Sequence, residues 1–285
     1  MKLKEIPVSV YHTLRLKSLS VERLYSHNRD TIVPVIVSLT SIPSRLNKVH
    51  ITIRSLLSQT KKPKKIILWL HEEIKNDIPR SLKILEGDFF EIRYSHLTCS
   101  HKKLIHTLKY FPEDIIVTCD DDFIYDKYWL ELLYKEHLRL PNCIIANQTR
   151  YICHNEKNEP LSYKLWKYPK NTNHSQNPVL AIGAGGVLYP PNKLDKTVFD
   201  EELFLSLTPK ADDLWFKGMS FLNGTQTIQS LNPPKPPTSI AGTQKISLKK
   251  QNIGKDLNRV QWEQLTSYFK IDINEERNST STGSS

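Results

Sequence analysis

The sequence predicts an α/β fold: a mostly parallel β-sheet flanked by helices, in a single main domain with a C-terminal extension. Three observations predict it. Short runs rich in β-branched residues alternate with segments of helical periodicity. The run Ile115-Ile116-Val117-Thr118 is apolar along its length, as a strand buried on both faces requires. That run ends in Cys119-Asp120-Asp121-Asp122, which puts three acids where open α/β sheets hold their ligands, beyond the carboxyl end of a strand.

The elements follow in order. Residues 1–30 mix Leu14, Leu16, Leu19, Leu24 and Tyr25 with Arg15, Lys17, Arg23 and Arg29, a pattern for an N-terminal helix packed on the domain or a basic, surface-seeking segment. Val33 to Leu39 reads as a strand, and Thr40-Ser41-Ile42-Pro43-Ser44-Arg45 as a polar loop. Leu46, Val49, Ile53, Leu56 and Leu57 recur at helical spacing, with Lys61-Lys62-Pro63 as the stop. Lys65 to Leu70 is a second strand, a helical turn covers Pro79 to Leu85, and Phe89 to Tyr94 is a third strand. Leu104, Ile105 and Leu108 form one helical face before the central strand, and Trp129, Leu132 and Leu133 another after it, ending at Pro141-Asn142.

Cys143 to Ala146 reads as a further strand, and from Thr149 to Asn177 periodicity fades into an irregular loop carrying Tyr151, Tyr163, Trp166 and Tyr168. Such aromatics among amides suit sugar or base stacking as well as plain packing. Gly183-Ala184-Gly185-Gly186 marks a backbone that something approaches closely, or a flexible turn. Thr208 to Asp213 opens a helix running through Met219, and Thr225 to Leu231 reads as an edge strand. Acids at a helix start are favoured by the macrodipole, which alone would account for Asp212 and Asp213. The main domain thus covers 31–231. Residues 232–277 form a Pro-rich connector, a basic stretch with Lys245, Lys249, Lys250 and Lys255, and a last helix around Val260 to Phe269, and 278–285 a disordered tail.

Composition narrows the partners. With 285 residues, 39% hydrophobic content and 25% charge, the chain has the make-up of a globular protein able to bury a sizeable core. Forty Lys and Arg against thirty Asp and Glu give a net charge of +10, which favours anionic ligands. Cys99, Cys119, Cys143 and Cys153 lack the close pairing of a zinc site and are too few for a disulfide scaffold, so reduced thiols in a cytoplasmic protein are expected. The longest apolar run, Ile32 to Leu39, is too short to span a bilayer.

The triple acid carries the chemistry. If the strand stays extended, Asp120 and Asp122 share a face with Cα atoms about 6–7 Å apart. Two such charges repel by about 2–3 kcal/mol at an effective dielectric near 20, so a cation or a proton belongs there. Mg²⁺ or Mn²⁺ is the natural cation, since such ions use one or two carboxylates and complete their shell with phosphate oxygens and water. An acidic turn capping the next helix is the purely structural alternative. Taken with the glycine loop and the second acid pair, the run supplies a metal-phosphate site, a close-approach loop and a base, the parts of a transfer reaction with a phosphorylated leaving group.

The stretches IIVTCDDDFIYDKYWLELL, GAGGVLYPP and ADDLWFK, with the opening IVSLTSIPSRLNKVHITIRSLLSQTKKPKKIILWL, resemble bacterial nucleotide-sugar glycosyltransferases of the GT-A fold, family 2-like, in order and spacing. The resemblance covers roughly Val33 to Asn223. It implies a Rossmann-like GT-A sheet and sugar transfer from a nucleotide-sugar, expected as a UDP-sugar, to a glycan or lipid-linked acceptor in cell-surface polysaccharide synthesis. Thr40, Ser41, Pro43 and Arg45 would cradle base and ribose, with Lys103 near the phosphates. Asp120 and Asp121 would face the ribose or orient the metal. Asp122, with Asp120, would bind Mn²⁺ or Mg²⁺, and Gly183, Gly185 and Gly186 would form the acceptor-side loop. Asp213 or Asp212 would deprotonate the acceptor. The expected enzyme is cytoplasmic, either free or in peripheral contact with an anionic membrane face, which the net charge of +10 would suit, and no nucleic-acid partner is expected. One departure is that no His follows His174, whereas many such enzymes use a late His as a metal ligand.

Competing classes are a nucleotidyltransferase acting on sugar phosphates, a nucleic-acid-binding protein or nuclease, and a catalytically inactive carbohydrate-binding relative. A glycine-dependent phosphate loop after the first strand is excluded, because the first glycine is Gly87. Basic residues spread along the chain, rather than gathered on one element, speak against nucleic acid.

Overall fold

The computed structural model describes residues 5–26, 31–169, 178–243 and 256–272. In chain order the helices are α1 (Ile6–Lys17), α2 (Val21–Tyr25), α3 (Leu46–Leu57), α4 (Arg80–Lys83), α5 (Lys102–Tyr110), α6 (Trp129–Arg139), α7 (Glu201–Leu207), α8 (Asp212–Leu222) and α9 (Leu257–Phe269). The strands are β1 (Ile32–Thr40), β2 (Lys62–His71), β3 (Phe90–Ser95), β4 (Ile115–Thr118), β5 (Phe123–Ile124), β6 (Ile144–Ala146), β7 (Thr149–Tyr151), β8 (Val179–Ala181), β9 (Val187–Tyr189), β10 (Thr227–Gln229) and β11 (Thr238–Ser239).

Seven strands form one sheet in the order β10-β6-β9-β4-β1-β2-β3. The strands β4, β1, β2 and β3 are parallel neighbours, and β6 and β10 are parallel to each other. Only β9 runs against its neighbours, pairing antiparallel with both β4 and β6. This is the mostly parallel, helix-flanked GT-A-like sheet, and β10 is the edge strand that Thr225 to Leu231 predicted. The core explains the near-continuous apolar runs. Val35, Val37 and Leu39 of β1 pack with α3 and α6 on one face of the sheet. On the other face, Ile36 meets Ile67 and Trp69, while Ile116, Val187 and Tyr189 join residues of α5 and α8. Strands covered on both faces have no polar side to alternate with.

Local chemistry shifts several boundaries. Lys62-Pro63 begins β2 instead of merely ending α3, because a proline at the start of a strand loses no essential ladder bond. Pro34, with no N–H to offer, lies where the β1–β2 register shifts between Val33 and Ile36. The loop expected from Thr149 opens as strand β7 paired with β8, and Trp166 is buried against it. An unanticipated helix, α7, is capped by the Asp200 side chain, which accepts from Leu203 N at 2.9 Å. The Pro-rich connector leads to β11, which pairs with β5. Farther on, α9 packs on α8 so closely that a Cβ at Gly218 would lie 2.6 Å from Leu265 Cδ2. The basic stretch Lys245 to Lys255 and the tail 278–285 lie outside the described residues.

Candidate active site

Six of the sheet's strands point their carboxyl ends the same way, and the acids gather there. Strand β4 stops at Thr118, and Asp121 and Asp122 lie in a turn before β5. The turn replaces the extended geometry in which Asp120 and Asp122 would share a face. Asp121 and Asp122 instead share one cation. The Arg45 guanidinium lies 2.6 Å from Asp121 Oδ1 and 3.1 Å from Asp122 Oδ2. Ser41 Oγ donates to the other oxygen of Asp121, and Thr52 Oγ1 donates to its backbone carbonyl at 2.7 Å. The β1–α3 loop therefore closes on the acidic turn. Of the residues expected to cradle a nucleotide, Ser41 and Arg45 face Asp121, Thr40 Oγ1 donates to Trp69 O in β2 at 2.8 Å, and Pro43 opens an exposed 3₁₀ turn.

Asp120 turns the other way. Its carboxylate is about one-third exposed and lies 3.1 Å from Lys103 Nζ, which is also 3.1 Å from Asp212 Oδ2 at the start of α8. The Lys103 side chain is only 5% exposed, and its ammonium forms an interior bridge between the two acidic clusters. Ser100 Oγ donates to Asp212 Oδ1 at 2.8 Å, whereas Asp213 Oδ2 accepts from the backbone N–H of Gly183 at 3.1 Å. A Cβ at Gly183 would sit 3.0 Å from Asp213 Oδ1, 3.4 Å from Lys103 Nζ and 3.7 Å from Asp120 Oδ1. The glycine loop thus rests on the point where the triple acid, the lysine and the second acid pair meet.

Two aromatic residues hold that loop, and the sequence reading did not find them. Tyr125 OH accepts from Asp120 N at 3.0 Å and faces Ala184 O at 3.2 Å, bridging the acidic turn to the glycine loop. Trp129 Nε1 donates to Gly185 O at 2.8 Å, and Asn147 Nδ2 donates to the same carbonyl at 3.1 Å. Gly186 has φ +94°, and a Cβ there would lie 2.5 Å from Trp129 Cζ2, so this glycine is required on both counts. Spacing alone made Trp129 a core residue of α6, and Tyr125 an unremarked neighbour of Asp122.

The electrostatics follow from the count. Among the described residues, Asp120, Asp121, Asp122, Asp212 and Asp213 face two protein cations, Arg45 and Lys103. Burial first, then Asp120 and Asp121, pushes the Asp122 carboxyl up to about 7. Burial also raises Asp121, against the pull of Arg45 and Ser41. In the second pair burial alone would raise both acids. Lys103 outweighs it at Asp212, which is held below the usual range, while burial and the neighbouring Asp212 drive Asp213 well above it. One member is kept ionised and the other basic. Among the described residues no three His, Cys, Asp or Glu side chains converge as a ready-made metal cage. The surplus of carboxylates nevertheless fits a hard divalent cation that takes one or two protein oxygens and completes its shell from phosphate and water.

No curated protein sequence matches the chain. Among solved structures, TarS 1–349 from S. aureus is 14% identical, with 87% of this chain and 77% of that one covered and a TM-score of 0.48. The mannosyltransferase PcManGT from Pyrobaculum calidifontis, solved with GDP-Man and Mn²⁺, is 11% identical over 99% of this chain and 85% of its own, with a TM-score of 0.47. A 4-diphosphocytidyl-2C-methyl-D-erythritol synthase from Anaerococcus prevotii is 13% identical over 81% and 97%, with a TM-score of 0.40. Residues 44–189, just over half of the chain, run from the β1–α3 loop through the acidic turn and the glycine loop to the end of β9. They match the sequence profile described as Glycosyl transferase family 2, and the chain belongs to that family of glycosyltransferases.

Proposed function

We propose that this glycosyltransferase is metal-dependent and moves a sugar from a nucleotide-sugar, expected as a UDP-sugar, to a glycan or lipid-linked acceptor in cell-surface polysaccharide synthesis. The observation that carries the reading is the meeting of five carboxylates and two cations beneath the Gly183 loop. A nucleoside diphosphate adds further negative charge to a site where, among the described residues, carboxylates outnumber cations, so donor binding calls for a divalent ion. Asp120, the accessible member of the run, and Asp122 would hold Mn²⁺ or Mg²⁺. When bound, that ion would neutralise the departing diphosphate. Arg45 and Ser41 fix Asp121 and with it the loop that faces the nucleotide.

Asp213 is the acceptor's base in this reading. Its raised basicity suits proton abstraction near neutral pH, and the Gly183 N–H orients its carboxylate. Asp212 serves a different end, keeping Lys103 in place with Ser100. Tyr163, half-buried and held by the buried Trp166 ring with centroids 4.9 Å apart, lies within electrostatic reach of Asp213 and offers an aromatic side chain to an acceptor sugar. The absence of a late histidine leaves the ion to carboxylates, phosphate and water.

Thermal unfolding with a panel of nucleoside diphosphates, with and without Mn²⁺, tests this reading. A ligand at 100 times its dissociation constant adds about 2.7 kcal/mol. Asp122→Asn should remove the metal-dependent part of the shift. Asp213→Asn should keep the shift and stop transfer. No metal-dependent response to any diphosphate would sink the metal reading, and a response confined to triphosphates would favour nucleotidyl transfer.

A further inference from the structure

The N-terminal helix α1 turns most of its apolar residues outward: only Ser9 and Leu16 of its twelve residues are buried, and Ser9, His12 and Thr13 lie beside Leu16 on the inner face. Its inner face is firmly seated. Leu16 packs with Ile51, Ile124 and Ile240, Arg54 Nη1 donates to the carbonyls of Leu16 at 3.2 Å and Leu19 at 2.7 Å, and Ser9 Oγ accepts from Ala241 N at 3.0 Å. The outer face is the anomaly. Ile6, Val8, Val10, Tyr11 and Leu14 are 37%, 48%, 43%, 64% and 62% exposed. Other large exposed apolar residues, such as Tyr110, Leu138 and Leu205, are scattered over the surface. A contiguous apolar face left exposed on a folded protein marks a contact surface.

Charge identifies the cover. At about 100° per residue, Arg15 and Lys17 fall on opposite margins of the exposed stripe, and both are exposed. Through residue 21 the chain carries Lys2, Lys4, Arg15 and Lys17 but only one acid, Glu5. An apolar stripe edged by cations on a short helix matches an interfacial helix lying in the head-group region of an anionic bilayer. A two-fold contact with a second copy would instead bring four like-charged margins together. Among the described residues no helix is long and apolar enough to cross a membrane, so the contact would be peripheral.

We infer that the outer face of α1 docks this protein on an anionic lipid surface. The placement links docking to the site without depending on the transfer reaction. Helix α1 packs against β5 and β11, the strand that follows Asp122 and the strand that pairs with it, and Ile240 N, just after β11, donates to Asp122 O at 2.8 Å. A bilayer on the outer face of α1 would therefore be joined to the acidic turn through α1 and the β5–β11 pair, a position suited to substrates held at a membrane.

The test is co-sedimentation of the full chain with vesicles of phosphatidylcholine alone and of phosphatidylcholine with phosphatidylglycerol. The protein should pellet with the anionic vesicles, and added salt should release it. The double variants Val10→Glu/Leu14→Glu and Arg15→Glu/Lys17→Glu should each lower partitioning on the order of tenfold or more. Because these side chains point to solvent, both variants should keep the wild-type unfolding temperature and nucleotide response, which separates loss of docking from loss of the transfer site. Failure to pellet with either vesicle, or equal binding by both variants, would overturn the inference. Light scattering showing a dimer that Val10→Glu/Leu14→Glu dissociates would also overturn it, by assigning the face to a second copy.

Discussion

Replacing Lys103 by Met would remove the ammonium that bridges the two acid clusters while keeping the length of the side chain. In the native protein this group lies 3.1 Å from both Asp120 Oδ1 and Asp212 Oδ2 and is 5% exposed. Burial opposes its charge, but Asp120, Asp212 and Asp213 outweigh burial and raise its pKa well above the ordinary lysine value. Deleting one partner of a buried pair costs about 3–5 kcal/mol. At about 2–4 °C per kcal/mol, the melting temperature at pH 8 should fall by roughly 6–20 °C. The pH dependence is the sharper test. In the fold Lys103 holds the Asp212 carboxyl below its ordinary value, so the pair's contribution is present above the unfolded aspartate pKa of about 3.9 and is lost as pH falls through the lower folded value. Without the lysine, Asp212 takes up a proton at a higher pH and escapes most of the penalty in acid. Urea unfolding in EDTA at pH 8 and pH 4.5 should therefore show a large loss at the first and a much smaller one at the second. Adding Asp212→Asn to Lys103→Met should recover part of the loss at pH 8. A loss of the same size at both pH values, or one below about 1 kcal/mol at pH 8, would refute the bridge.

Gly186→Ala should cost about 3 kcal/mol or more in chemical denaturation, since it combines an unfavourable φ of +94° with a contact 2.5 Å from the Trp129 ring. Gly183→Ala, with nothing nearer than 3.0 Å, should lose less stability but more transfer activity. His101 is fully buried, stacks on Phe204 with ring centroids 4.5 Å apart, and is pushed by burial down to about 4. The unfolded chain binds a proton near pH 6.5 that the fold refuses until about pH 4, so stability falls on acidification through that window, by at most about 3 kcal/mol for this one group. His101→Phe should flatten that part of the stability profile between pH 7 and 5, and an unchanged slope would remove His101 from the account.

The elements were legible wherever burial repeats along the chain. Val33 to Leu39 and Ile115 to Thr118 are strands because both faces of the sheet are covered, and Leu104, Ile105 and Leu108 share the helix face that meets β1 and β4. Less was legible at β9. Nothing in Val187-Leu188-Tyr189 announces that it enters the centre of the sheet antiparallel, because pairing direction depends on where the preceding chain turns and not on side-chain period. The same limit hid the supports of the site. Tyr125 meets Ala184 across 59 residues, Trp129 meets Gly185 across 56, and Ser100 meets Asp212 across 112.

The sequence by itself determined the fold class, the acidic strand end, the glycine loop and the second acid pair, since each is a local pattern of burial, charge or backbone freedom. Only the tertiary structure decided how the acids divide. Alternation along a strand joined Asp120 to Asp122. The turn after Thr118 instead gives Asp121 and Asp122 to Arg45 and sends Asp120 to Lys103 and Asp212. Charges sort themselves by which cation reaches them through space, and the cations here come from loops and helices that only the folded sheet brings together.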